Sequence, residues 1–196
     1  MRDHRIIVAV TGASGPIYAR LLVERLVASP EVARIALIFS DCGREVAEYE
    51  GVTVGAGHSK VELFDNGDMF APMASGSSDW DAMVVIPCSM GTLGRIAAGV
   101  SEGLIGRAAD VMLKERRRLI LVPRETPLSL IHLRNMAALT ECGAVIATAA
   151  PSFYSRPASV EELCMSVVER ILSLLDIGGN RFRWGAETDC NLAKKH

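Results

Sequence analysis

Residues able to bind an anion or move a proton recur at regular places in this chain, each just after a short apolar run. Ser14 follows residues 5–10, Ser40 follows 34–39, Ser89 and Thr92 follow 83–87, Arg124 and Glu125 follow 119–122, and Tyr154 follows 144–149. One such loop means little, but five in succession point to a ligand with a phosphate and several polar edges. The first loop, Thr11-Gly12-Ala13-Ser14-Gly15-Pro16, joins a strand-like run to a helix-like one. Free N–H groups and the dipole at a helix start attract anions. The loop has neither the dinucleotide nor the P-loop glycine spacing. A phosphate cradle and an ordinary strand–helix turn therefore both fit it.

Other candidates are weaker taken singly. Arg107, Asp110 and Lys114 share one helix face, where an exposed Asp–Lys pair is worth only about 0.3 kcal/mol. Arg170 falls among the apolar stripe Leu163, Val167, Ile171 and Leu174. It either snorkels outward or meets a buried anion, and the pattern alone favours snorkelling. Glu50 stands at a helix end beside Gly51, and Glu125 between Arg124 and Thr126. Cys88 has no neighbouring histidine to activate it, so it reads as a buried structural thiol. His4, His58, His132 and His196 form no metal spacing.

The elements that must position these residues alternate. Strands are expected at residues 5–10, 34–39, 83–87, 119–122 and 144–149, with at most one more near 61–64. The runs at 83–87 and 119–122 are continuous and aliphatic, as in fully buried strands. Helices are expected from residue 17, over 44–50, after Thr92, over 128–142, and from a Ser159-x-x-Glu162 capping box to about residue 176. Pro16 suits a first helical turn. The segment 71–78 is small, polar and flexible, with no sign of a core element, and such loops are often functional. Alternation of this kind implies an α/β, Rossmann-like fold, with a mostly parallel sheet, helices on both faces and ligands at the carboxyl edge.

The 196 residues suit a single domain spanning 1–196. The chain is 49% hydrophobic and only 5% aromatic, an aliphatic balance suited to α/β layers. A net charge of −2 argues against nucleic-acid or anionic-membrane surfaces. The basic knot at 114–118 reads as a solvated helix end. Five cysteines without a C-x-x-C spacing make neither a disulfide framework nor a zinc site and fit a reducing cytoplasm. No apolar run approaches the roughly 20 residues of a membrane span, and the N-terminal run is too short for a signal peptide.

Eight motifs then appear in one order: Thr11-Gly-Ala-Ser-Gly15, Ala74-Ser-Gly-Ser-Ser78, Pro87-Cys-Ser-Met-Gly-Thr92, Arg107-Ala-Ala-Asp-Val111, Leu113-Lys-Glu-Arg-Arg117, Pro123-Arg-Glu-Thr-Pro127, Ile131-His-Leu133 and Phe153-Tyr154. Together they resemble the UbiX-type flavin prenyltransferases over essentially the whole chain, to Arg183-Trp184. The resemblance implies metal-independent transfer of a dimethylallyl group from dimethylallyl phosphate (pyrophosphate in some relatives) to N5 and C6 of reduced FMN. The prenylated FMN would serve a UbiD-type decarboxylase. It implies FMN contacts from Gly12, Ala13, Ser14, Ser40, Ser89, Met90, Gly91, Thr92, Arg107 and Arg124. Ser75 and Gly76 would line the donor pocket, and Lys114, Arg124, Glu125, Tyr154 and Arg170 would hold the donor phosphate. Glu50, Lys114 and Glu125 would be catalytic, with the proton carried by either Glu50 or Glu125. Dodecamers built from trimers, with sites between subunits, are also implied. Asp41, Met69-Phe70, residues 101–104 and the short 51–66 region depart from the family pattern and bear on donor preference and flavin packing.

Two other classes compete. An FMN-dependent decarboxylase of the cysteine-decarboxylase superfamily would carry an early-helix histidine and a Pro-x-Met-Asn motif, and this sequence has neither. A non-catalytic FMN-binding protein would have no use for a second phosphate site. A decarboxylase acting directly on a hydroxybenzoate lacks any group evidently placed to protonate its product.

Overall fold

The computed structural model describes residues 3–55 and 57–178. Cys190, His196 and the Arg183-Trp184 end of the family resemblance lie outside these residues. The strands are β1 (His4–Val10), β2 (Val32–Phe39), β3 (Val61–Phe64), β4 (Ala82–Cys88), β5 (Arg118–Pro123) and β6 (Val145–Ile146). The helices are α1 (Ile17–Ala28), α2 (Asp41–Tyr49), α3 (Met90–Ala97), α4 (Gly103–Lys114), α5 (Leu130–Glu141) and α6 (Val160–Leu174). All strand pairs are parallel, in the order β3-β2-β1-β4-β5-β6. This is the α/β architecture expected from the alternation. Among the described residues no helix is long and apolar enough to cross a membrane.

Period-two alternation divides the central strands between two cores. Ile6, Val8 and Val10 of β1 join Val84 and Ile86 of β4 beneath Leu22 and Leu26 of α1 and Val168 and Ile171 of α6. Ile7, Ala9, Met83 and Val85 face the other way, toward Leu93 of α3, Ala108 and Met112 of α4, and Leu139 of α5. With both faces covered, β4 is buried along its whole length, and its continuous apolar sequence follows from that.

The chain departs from its sequence pattern at five places. The strand expected over 144–149 narrows to Val145–Ile146. Ala147 and Ala149 still donate to Leu121 and Pro123 carbonyls at 2.9 and 3.0 Å, so the backbone follows β5 without a full ladder on this sheet edge. The helix expected over 44–50 starts at Asp41, because the Ser40 hydroxyl accepts from the Gly43 N–H at 3.0 Å and caps it. Two helices, not one, follow Ser89. They are separated by residues 98–102, which end at Gly103 with φ +71°. The second, α4, is capped from a distance: Asn66 accepts from the Leu104 N–H through its carbonyl (2.6 Å) and from the Ile105 N–H through Oδ1 (3.0 Å).

The fourth difference concerns 71–78, which is not free of the core. Residues Pro72–Ala74 form a 3₁₀ turn that inserts Met73, fully buried, against α4. One large apolar side chain outweighs the polar composition around it. Last, the Ser159 hydroxyl accepts from the Glu162 N–H at 3.1 Å, but Glu162 reaches back to the Ala158 N–H at 2.7 Å, one residue before the cap. Only half of that capping box forms. A complete one occurs at Ser129 and His132.

Thr11, 1% exposed, binds the ends of β1 and β4 together. Its hydroxyl donates to the Pro87 carbonyl and accepts from the Ser89 N–H, each at 2.8 Å. Valine has the same shape without the hydroxyl: it would leave the Ser89 N–H without this acceptor and the Pro87 carbonyl with only the Thr11 N–H, at 3.2 Å. Thr11→Val is expected to lower unfolding free energy by about 2 kcal/mol, measured by urea denaturation, with the m-value unchanged.

Candidate active site

Strand order reverses between β1 and β4, which opens a crevice at their carboxyl ends, where ligands bind in such sheets. The first loop enters it from β1. Gly12 has no room for a side chain, since a Cβ would stand 2.6 Å from Cys42 Cβ. The loop therefore lies directly on the start of α2. Gly15 has φ +101° and directs its N–H at Glu50, 3.2 Å from both carboxylate oxygens. Of the two readings this loop allows, the structure answers part: the Gly15 amide already holds an anion, and it belongs to the protein. Arg124 closes the crevice from β5, its N–H on the Cys88 carbonyl (3.3 Å) and its Nε on the Ser14 carbonyl (3.2 Å). Below the loop, burial and then Cys164 push the Tyr18 hydroxyl up to about 12, against an opposing influence from Arg124.

The second part of the site comprises two helix starts. Ser40 caps α2, and Ser89 caps α3 by accepting from the Thr92 N–H at 3.3 Å. The Ser89 hydroxyl also lies 3.1 Å from Thr92 Oγ1. A Cβ on Gly43 would fall 2.3 Å from the Val10 carbonyl oxygen, so α2 can start this close to β1 only with glycine there. Ser40 and Thr92 line one small recess with Asn66 and Arg95. Neither Asn66 nor Arg95 was singled out from the sequence. The one available signal was the cation at i+3 from Thr92. Beneath α3, burial pushes the Cys88 thiol up to about 12, consistent with an inert structural cysteine.

A third group lies elsewhere. Gly76, beside Ser75, meets Lys114 at the end of α4. Lys114 pairs with Glu115, and a Cβ on Gly76 would stand 2.6 Å from Lys114 Nζ and 2.3 Å from Glu115 Oε1. The Lys114 hydrogen bond, and then its charge, lower the Glu115 carboxyl from its ordinary value. Two arginines hold this loop by its main chain. Arg107 Nε donates to the Ala74 carbonyl at 2.9 Å, with Nη1 on Asp110 at 2.6 Å. Arg117 donates to the Gly76 and Trp80 carbonyls at 2.7 and 3.2 Å. The basic knot at 114–118 is thus not simply solvated, because Arg117 serves as a tether and Arg118 binds the Leu174 carbonyl and Asp176.

Lys114 leads within four residues to Arg118, which pairs with Ala82, the first residue of β4. Ser75, Gly76 and Lys114 therefore stand at the amino edge of the sheet, opposite Ser14, Ser40, Ser89, Thr92 and Arg124. Tyr154 and Arg170 form a fourth group, in an open groove of about 600 Å³ between β6 and α6 that Ser152, Ser166 and Ser173 also line. Arg170 is exposed, so it snorkels as its pattern favoured, and its head borders this groove. Glu125 is exposed in the loop after β5, where Oε1 accepts from the Thr126 N–H at 3.0 Å.

Comparison with known proteins agrees with this fold. The family model described as Flavoprotein matches residues 1–177. A flavin prenyltransferase UbiX from Methanocaldococcus jannaschii is 44% identical over 184 residues, 92% of this chain and 98% of that protein. The structure of AnUbiX (PadA1) in complex with FMN and dimethylallyl pyrophosphate superposes with a TM-score of 0.84 at 43% identity, covering 94% of this chain and 99% of that one. A dodecameric FMN-dependent UbiX-like decarboxylase from Escherichia coli O157:H7 gives 0.85 at 39% identity, covering 93% and 100%. The chain belongs to the flavoprotein family and, within it, to the UbiX flavin prenyltransferases.

Two outcomes follow from the site's internal contacts. Arg117→Ala removes the charged donor to the Gly76 and Trp80 carbonyls, and amide exchange over 75–80 is expected to quicken about tenfold by mass spectrometry while β1 stays protected. With its thiol held neutral, Cys88 is expected to resist iodoacetamide at any pH up to 9 in the folded protein and to react only after denaturation, as peptide mapping would report.

Proposed function

We propose that this chain joins the dimethylallyl group of dimethylallyl phosphate to N5 and C6 of reduced FMN, giving prenylated FMN for a UbiD-type decarboxylase. The observation that carries the reading is that the chain has two separate sets of anion-binding groups. One is the hydroxyl-capped pair of helix starts at Ser40 and Ser89–Thr92, with Arg124 beside them, and the other, outside that crevice, comprises Lys114 at the amino edge and Arg170 in the groove between β6 and α6, which we assign with Arg124 to the donor phosphate. FMN binding alone requires only one, which disfavours a non-catalytic flavin carrier.

The residues present fit a flavin phosphate. Helix-start amides and short hydroxyls converge at the switch point, and glycine at positions 12 and 43 lets the α2 start lie against the end of β1. Gly12, Ala13, Ser14, Met90, Gly91, Arg107 and Arg124 complete the set we assign to flavin, with Ser75 and Gly76 lining the donor pocket. When bound, the reduced flavin supplies the nucleophilic atoms and an electron-rich wall for the allylic carbon. Loss of phosphate from that carbon builds negative charge on the leaving oxygens. Lys114, Arg124 and Arg170, with the Tyr154 hydroxyl, stabilise that charge as it forms. Glu50 and Glu125 are the two carboxylates assigned to move the proton released during ring closure.

The opposed positions of Lys114 and Arg124 on the sheet support an active site shared between copies. A dodecamer, the assembly of the Escherichia coli relative, would give the amino edge of one chain the opportunity to meet the carboxyl edge of another. Free thiols at Cys42, Cys88, Cys142 and Cys164 fit work in the cytoplasm.

Anaerobic incubation with reduced FMN and dimethylallyl phosphate is expected to yield flavin heavier by one C5 prenyl unit in the mass spectrum. Unmodified flavin with either the phosphate or the pyrophosphate donor would refute the reading. Lys114→Ala and Arg124→Ala are each expected to abolish turnover. Co-assembled from the two variants, mixed oligomers should regain about a quarter of wild-type activity, since random mixing leaves that share of composite sites intact. Absence of rescue would mean that each chain builds its own site.

A further inference from the structure

Lys114 carries a partner that phosphate binding does not call for. It ends α4, where a cation complements the helix dipole. The next residue, Glu115, is the C-cap of the same helix, and a carboxylate there faces the negative end of that dipole. Helix stability therefore gives no reason for it. Glu115 nevertheless turns to Lys114 and pairs with it. The nearby arginines are committed elsewhere, Arg117 to the Gly76 and Trp80 carbonyls and Arg118 to the Leu174 carbonyl and Asp176. The Lys114 hydrogen bond, and then its charge, hold the Glu115 carboxyl below its ordinary value, so the carboxylate stays charged through the neutral range.

An exposed ion pair by itself adds little to stability. This one is distinguished by where it lies. Glu115 Oε1 and Lys114 Nζ are the two nearest atoms to the place a Gly76 Cβ would occupy, so the pair uses the space that glycine leaves open. The backbone it rests against is fixed, because Arg117 holds the Gly76 carbonyl at 2.7 Å and Arg107 the Ala74 carbonyl at 2.9 Å. An ammonium and a carboxylate therefore stand side by side at the wall assigned to the donor pocket. The first attracts a phosphate there and the second repels it.

We propose that Glu115 determines donor specificity, favouring an allylic monophosphate by repelling the further charge of a pyrophosphate. The inference rests on the reading of Lys114 as a cation of the donor-phosphate site. On that reading the donor phosphate displaces Glu115 from Lys114 as it binds. The carboxylate stays close by, because Glu115 is held at the helix end by its N–H on the Val111 carbonyl at 3.0 Å. A pyrophosphate brings more negative charge to this place than a monophosphate, so the repulsion grows with the second phosphate. Glu115 acts on donor choice and takes no part in the allylic chemistry.

The test is calorimetric titration of the assembled, FMN-loaded full-length protein with dimethylallyl phosphate and with dimethylallyl pyrophosphate. With the flavin kept oxidised, the donor binds without being consumed. Wild type is expected to bind the phosphate more tightly. Glu115→Gln should improve pyrophosphate affinity about fivefold relative to phosphate affinity, and Glu115→Asp, which keeps the charge, should hold the wild-type ratio. Added salt should narrow the preference of the wild type more than that of Glu115→Gln. An unchanged ratio in Glu115→Gln, an equal loss for both donors, or a wild type that binds both equally would overturn the inference. Lys114→Ala tests its premise separately and should weaken both donors about tenfold. Unchanged donor affinity in that variant would remove Lys114 from the donor site, whereas weakened binding there with an unchanged ratio in Glu115→Gln would overturn the role of Glu115 alone.

Discussion

A single threonine hydroxyl holds together the place where the sheet changes direction. At the β1/β4 switch point two parallel strands diverge into loops that leave on opposite faces, and without a tie between them their ends would splay. Thr11 provides that tie as donor to one strand and acceptor from the loop that follows it. The positions of Ser89, of the first turn of α3, and of Arg124 through the Cys88 carbonyl all depend on it. The crevice is therefore a property of backbone register, and the polar side chains around it are carried to their places by strands whose buried carboxyl halves are apolar.

The candidate residues stand at both edges of the sheet. α4 has twelve residues, about 18 Å of rise, and this separates the switch-point hydroxyls from Lys114. Lys114 meanwhile rests on Glu115, on the far side of the sheet from Arg124.

Much of this was legible in the sequence, for physical reasons that can be named. The parallel sheet followed from aliphatic runs alternating with amphipathic helices, and the carboxyl-edge loops from the hydroxyl and charged residues after each run. What could not be read was long-range. Asn66 caps a helix 38 residues further on, and no local pattern announces it. Met73 enters the core from a polar segment because one buried side chain sets the path of its neighbours. Glu50 looked bland at a helix end, and only the fold brings it to the Gly15 amide.

The arginine tethers on 71–78 carry a consequence for how this family diversifies. Arg107 and Arg117 hold the segment through the carbonyl oxygens of Ala74, Gly76 and Trp80, and a carbonyl is present whatever side chain stands beside it. The path of the segment is thus insulated from much of its own sequence. Away from Met73 and Gly76, residues can be exchanged without relocating the wall they form. The surface of the segment can therefore change while the scaffold beneath stays the same.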